Sequence, residues 1–171
     1  MIETKRLLFR KFTPDDLDLL YKFRSDENIT QYLGGVTSRE DVEARLRWYI
    51  GCYEKCGFGY CLMNHKENNE PIGWAGLQPL EDTGLIEVGY GMEKEYWGRG
   101  LGTEACRGWL DFGFNTTGLS EISAIAIPEN KASRRIMEKS GLTYQKNIQA
   151  RGFECALYRI TKDEFARINE H

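Results

Sequence analysis

The sequence predicts an α/β fold of the α+β kind: a mixed, mostly antiparallel central sheet with one parallel β-α-β crossover and helices on both faces. Three observations lead there. Stretches with a two-residue apolar period alternate with stretches of helical period, in the order β-α-α-β-β-β-α-β-α-β-β-α. A glycine-rich turn joins an alternating strand to an amphipathic helix, and a short apolar run suited to a buried parallel strand follows. The chain of 171 residues fits one domain, with no internal repeat, low-complexity tract or Pro/Ser-rich linker to divide it.

Each element has its local cause. Residues 6–12 alternate and form a first strand. Thr13-Pro14-Asp15-Asp16 is a helix start, with a capping Thr, Pro at the first helical position and acids in the first turn. Leu17, Leu20 and Tyr21 give that helix an apolar face that ends on Arg24, and Gly34-Gly35 breaks the chain. Ser38 opens a second helix through Val42, Leu46, Tyr49, Ile50 and Tyr53, which stops at Gly57. Strands at 59–63 and 72–77 flank the polar turn 66–70, and 84–92 is the next strand. A helix covers 101–114 and a buried strand 122–127. Asn130 caps a helix ending at Ser140-Gly141, and strands at 142–148 and 153–160 precede a short terminal helix.

Composition narrows the function classes. Hydrophobic residues make up 41% of the chain, including nine Tyr, eight Phe and four Trp, so a core forms without metal or disulfide staples. A net charge of −3 with no basic stripe argues against nucleic acid, while leaving room for a local basic pocket. No run reaches membrane-spanning length and the N-terminus is not a signal peptide, so no membrane association and a cytoplasmic location are expected. The five cysteines are odd in number and lack C-x-x-C spacing, which reads as reduced thiols packed as small hydrophobes, with no metal site.

The most informative stretch is residues 84–103. Gly98, Gly100 and Gly102 stand at a helix entrance, where bare amides and the helix dipole converge on an anion, phosphate or pyrophosphate by preference. In the strand before it, Ile86, Val88, Tyr90 and Met92 are large and apolar, while Glu87, Gly89 and Gly91 face the other way. That glycine face leaves backbone open to a linear amide-bearing ligand such as pantetheine joined to a pyrophosphate. The alternative that the glycines make room for a neighbouring helix stays open. Gly100-Leu-Gly-Thr-Glu-Ala105 also satisfies the dinucleotide pattern G-x-G-x-x-G/A, with Glu121 downstream as a ribose-binding acid. The context is wrong, because residues 93–97 separate strand from glycines and Glu121 precedes its strand.

Trp97-Gly-Arg-Gly-Leu-Gly102, Pro128-Glu-Asn130 with Lys-Ala-Ser133, and Glu-Lys-Ser-Gly141-Leu142 resemble the acetyl-CoA-binding blocks of the GNAT acetyltransferase superfamily. The N-terminal ETKRLLFRKFTPDDLDLL and residues 29–35 are similar to its ribosomal-protein N-terminal (alanine/serine) acetyltransferase branch. Trp97 departs from the family's usual Gln or Arg. The resemblance implies the acyl-CoA N-acyltransferase fold and direct transfer of acetyl from acetyl-CoA to a primary amine, a protein N-terminus or a small molecule. It implies cofactor contacts at Tyr90, Met92, Gly98, Arg99, Gly100, Leu101, Gly102, Thr103, Asn130 and Ser133, and an oxyanion-stabilising backbone N–H near Tyr90–Met92.

Direct transfer needs a base, an oxyanion donor and a proton for the thiolate. Only His65 and His171 are present, one at a hairpin turn and one at the chain end, and both read as surface residues. Glu87 is the base candidate, through a water, or else it only orients the acceptor. Met137 stands where many family members carry the proton-donating tyrosine, so Ser133 becomes the acid by resemblance; alternatively it bonds within its own first helical turn. Arg134 and Arg135 are weaker phosphate candidates, and Tyr32, Trp48, Tyr49 and Tyr53 read mostly as core. Two other readings stand beside the transferase: an acyl-CoA-binding module without turnover, and transfer of a longer acyl group such as succinyl. The chain is read as a monomer or homodimer.

Overall fold

A computed structural model describes residues 2–81 and 83–170. A short strand, β1 (Ile2–Glu3), pairs with β2 (Leu7–Lys11), where Leu7 and Phe9 point to one buried face. Asp16 accepts from the Thr13 amide at 2.8 Å and closes a short turn, from which α1 (Leu17–Arg24) starts. Two residues later comes α2 (Glu27–Thr30), a single turn that the periodicity does not signal. Ser38 caps α3 (Arg39–Cys56) through the Asp41 amide, and Gly57 ends it in the left-handed conformation at φ 75°.

The strand-rich part follows as β3 (Tyr60–His65), β4 (Glu70–Leu80) and β5 (Leu85–Met92), an antiparallel meander. Then come α4 (Leu101–Asp111), β6 (Glu121–Ala126) and α5 (Lys131–Lys139), capped by the Asn130 side chain. The hairpin β7 (Thr143–Ala150) and β8 (Phe153–Thr161) leads into α6 (Lys162–Asn169). Among the described residues the sheet order is β1-β2-β3-β4-β5-β6-β8-β7, and β5–β6 is the one parallel pair. The sequence-based order of elements holds; β1 and α2 are added, and α4 stops before a wider turn at Phe112–Thr116.

The two faces carry separate cores. One joins Leu7, Phe9, Leu77, Val88 and Ile122 to α4 and α6, around a Trp109 indole that is edge-on to Phe9 at 5.6 Å. The other joins α1 and α3 to Tyr60, Leu62 and Trp74. A bulge shifts the β3–β4 register between Met63 and Asn64, which is why Ile72 faces the first core and Trp74, two residues on, the second.

His65 corrects the sequence reading: it is 8% exposed, at the end of β3, with its ring 5.8 Å from that of Tyr96. His171 lies outside the described residues. Of the aromatics read as core, Tyr49 is buried, Tyr32 and Tyr53 are half-buried and Trp48 is exposed. All five cysteines are free thiols, buried except Cys56.

Candidate active site

One cleft of about 1390 Å³ collects nearly all of the residues singled out from the sequence. Its first end is the glycine turn. Gly98 and Gly100 adopt φ of 72° and 77°, where a side chain is strained, and Gly100 is the N-cap of α4. The first backbone bond of the helix runs from Glu104 N to Gly100 O, so the amides of Leu101, Gly102 and Thr103 are free to meet an anion. Gly102, which lines the cleft, also has a packing role. A Cβ there would lie 2.6 Å from Ile136 Cδ1, so this glycine sets α4 close against α5.

The turn is held by a residue the sequence reading passed over. Arg6 donates from Nη1 to the Arg99 carbonyl at 2.8 Å and from Nε to Glu104 at 2.7 Å. Thr4 and the Arg6 amide complete the bonds to that carboxylate. Burial opposes ionisation of Glu104, but these donors prevail and hold its carboxyl below the usual range. Trp97 donates from its indole to the Met92 carbonyl at 2.9 Å and so anchors the chain between β5 and the turn. Arg99 does not line the cleft; its guanidinium lies 5.3 Å from the Tyr96 ring centroid. Arg134 is engaged by Tyr158 and the Pro128 carbonyl, whereas Arg135 lines the cleft.

Midway, the sheet opens. β5 is laddered to β4 along its whole length, but its register with β6 consists of Glu87 opposite Ser123 alone. Beyond that point, the β6-side edge of Val88–Met92 faces the cleft with its backbone groups unladdered. Backbone access therefore arises from diverging strands and not from the glycine face. That face is filled. Cβ atoms at Gly89 and Gly91 would lie 1.9 Å from Tyr60 Oη and 2.6 Å from Trp74 Cζ2, so the glycines accommodate aromatic rings, neither a ligand nor a helix.

On the other face, Tyr90 Oη donates to the Ser133 carbonyl at 3.1 Å and lies 3.2 Å from Ser133 Oγ. Burial raises the Tyr90 phenol well above its ordinary value, so it stays protonated. Asn130 Oδ1 accepts from the Ser133 amide at 3.2 Å, which fixes the first turn of α5. The Ser133 hydroxyl thus pairs with a tyrosine across the cleft, and its own helix turn is capped by another residue.

The far end centres on Glu87, 2% exposed. Its Oε1 accepts from Gln78 at 2.8 Å and from Tyr60 at 3.3 Å, and is ion-paired with Arg151. Burial pushes the Tyr60 phenol up to about 12, so it acts as a donor throughout the neutral range. Arg151 is in the β7–β8 turn at φ 52°, beside Gly152, and reaches Glu87 from 64 positions away in the chain. No local pattern marks it. Glu87 and Ser133 line the same cleft from opposite faces of β5, with the strand opening between them.

A family model described as an acetyltransferase (GNAT) domain matches residues 6–143. The uncharacterized N-acetyltransferase p20 of Bacillus licheniformis is 30% identical over 162 residues, spanning 92% of this chain and 89% of that protein. The crystal structure of a GNAT-family acetyltransferase from Bacillus anthracis superposes with a TM-score of 0.79 at 25% identity, covering 95% and 98% of the two chains. RimL, a ribosomal L7/L12 alpha-N-protein acetyltransferase in complex with coenzyme A, superposes at 0.77 over 94% and 97%, but at 15% identity. This last likeness is one of fold, and it leaves the ribosomal-protein branch no better supported than other acceptor classes.

Proposed function

Because the chain belongs to the GNAT acetyltransferase family, we propose that it moves an acetyl group from acetyl-CoA directly to a primary amine. The observation carrying this reading is the opened β5–β6 edge, which runs from the free amides of α4 to a buried carboxylate. An extended thioester whose pyrophosphate meets Leu101–Thr103 can pair its amides with the free edge of β5. Its carbonyl then lies in the gap between Glu87 and Ser133.

The amine attacks the thioester carbon, and its proton passes through water to the Glu87 carboxylate. The bonds that described residues make to Glu87 all go to Oε1, which leaves Oε2 for this role. A β5 amide between Tyr90 and Met92 stabilises the oxyanion. As the C–S bond breaks, Ser133 Oγ donates its proton to the thiolate and takes one back from water, while Glu87 returns the amine proton to solvent; Tyr90 Oη is positioned beside Ser133 to orient the hydroxyl. The acceptor is a peptide N-terminus, as in the ribosomal-protein enzymes, or a small-molecule amine. A thiol-release screen with acetyl-CoA against short peptides, amino acids, polyamines and aminoglycosides tests the reading. Release of CoA by none of them would overturn it.

Two further outcomes follow from the same geometry. CoA at 100 times its dissociation constant is expected to stabilise the fold by about 2.7 kcal/mol in thermal unfolding, with NAD giving far less. The reverse order would replace the assignment with a dinucleotide site. Ser133→Ala is expected to slow single-turnover transfer by roughly a hundredfold at saturating acetyl-CoA, with cofactor affinity retained. If Ser133 only supported its helix, stability would drop by about 1 kcal/mol and the chemical step would keep its rate.

A further inference from the structure

The end of the cleft beyond Glu87 carries three arginines from three elements: Arg24 at the end of α1, Arg45 on α3 and Arg151 in the β7–β8 turn. Arg151 is matched by Glu87. Arg24 is not matched. It is 4% exposed and lines the cleft, yet forms no ion pair with any described residue, and its Nε has no hydrogen-bond partner. Trp74 lies under it, with the guanidinium carbon 5.2 Å from the ring centroid, a contact that gives Nε no hydrogen-bond partner among the described residues. Burial pushes Arg24 below its ordinary pKa; Tyr49 and Tyr60 oppose that, and the nearby charges of Arg45 and Arg151 add to it.

The acids that line the same end do not relieve this charge. Asp41 accepts from Ser38 Oγ at 2.8 Å, and neither Asp41 nor Glu81 forms an ion pair with Arg24 or Arg45. A buried guanidinium without a counter-ion is costly, and a cleft is where a ligand can supply one. The fork of N–H groups suits a planar carboxylate, and the adjacent charges repel a polycation.

We propose that the acceptor amine also bears a carboxylate, which is seated on Arg24 with Arg45 at the cleft margin. This rests on the transferase reading and narrows its acceptors to acidic amino acids or peptides with an acidic residue beside the reactive amine. Polyamines and aminoglycosides are disfavoured.

Two measurements test it. The first compares acetyl transfer to matched amidated tripeptides, Glu-Ala-Ala and Gln-Ala-Ala, with free glutamate and spermidine as further arms. The wild type is expected to favour the acidic peptide by on the order of a hundredfold in kcat/KM, mainly through KM. Arg24→Gln should collapse that ratio towards unity, and Arg45→Gln, on the exposed side of α3, should reduce it if the Arg24 variant does not fold. Equal use of both peptides, a preference for spermidine, or an equal loss for both peptides in Arg24→Gln would overturn the proposal. The second titrates glutarate into the CoA-saturated protein by calorimetry, where binding to wild type but not to Arg24→Gln is expected. Glutarate binding without any acetyl transfer refutes the transferase reading and leaves the anion site standing. No glutarate binding overturns the site itself, whatever the transfer activity.

Discussion

Glu87→Gln is expected to lower the rate of acetyl transfer by about a hundred- to ten-thousandfold, the range for loss of a positioned general base. The substitution keeps size and shape but removes the acceptor of the amine proton. Its surroundings separate this from a folding defect. Gln78 and Tyr60 can still donate to the amide oxygen of the new side chain, whereas Arg151 loses its ion pair and keeps only a neutral partner. Affinity for acetyl-CoA should change little, because the free amides of α4 lie at the other end of the cleft. Single-turnover kinetics at saturating acetyl-CoA reads the chemical step. A rate within a factor of about three of wild type would leave Glu87 as an orienting group, since general-base effects start near a hundredfold.

Gly89→Ala is expected to destabilise the protein by about 3 kcal/mol, at the upper end for overpacking, and to impair transfer as well. The added methyl would lie 1.9 Å from Tyr60 Oη and 2.6 Å from its Cζ. The ring cannot retreat, since it is 6% exposed and rests against Tyr49 at 5.1 Å between centroids. Displacing it also removes a donor from Glu87. A loss of this size corresponds to a fall in Tm of roughly 6–12 °C for a domain of this length. In the Gly89→Ala, Tyr60→Ala double variant the loss should be smaller than the sum of the two single losses, because the two substitutions act on one space. An unchanged Tm for Gly89→Ala would show that the face is not filled as described.

What could be read from the sequence alone is what a few adjacent residues decide. Ser38 and Gly57 delimit α3, Asn130 caps α5, and the alternation from Ile86 to Met92 sets which residues of β5 share a face. Each depends on bonding within one turn or on the two-residue period of a strand, and each is found where the pattern puts it. The glycines before α4 belong here too, since a left-handed Gly100 and free helix amides are local properties. The family resemblance rests on the same stretches.

Tertiary structure decided the remainder, because it depends on partners distant in the chain. Whether Gly89 and Gly91 meet a ligand or a ring follows from the register of β3 and β4 against β5, which brings Tyr60 and Trp74 over them. Arg6 holds Glu104 from 98 positions away, and Arg151 reaches Glu87 across 64. Trp48 and Tyr49 are neighbours in α3, yet one is exposed and the other buried, since only one side of that helix packs on the sheet. The opening of the cleft is the clearest case. Nothing in the composition of β5 or β6 marks the point where they part, yet their register is a single bridge at Glu87 and Ser123. A strand's composition states that it can pair; only the packed structure states where pairing stops.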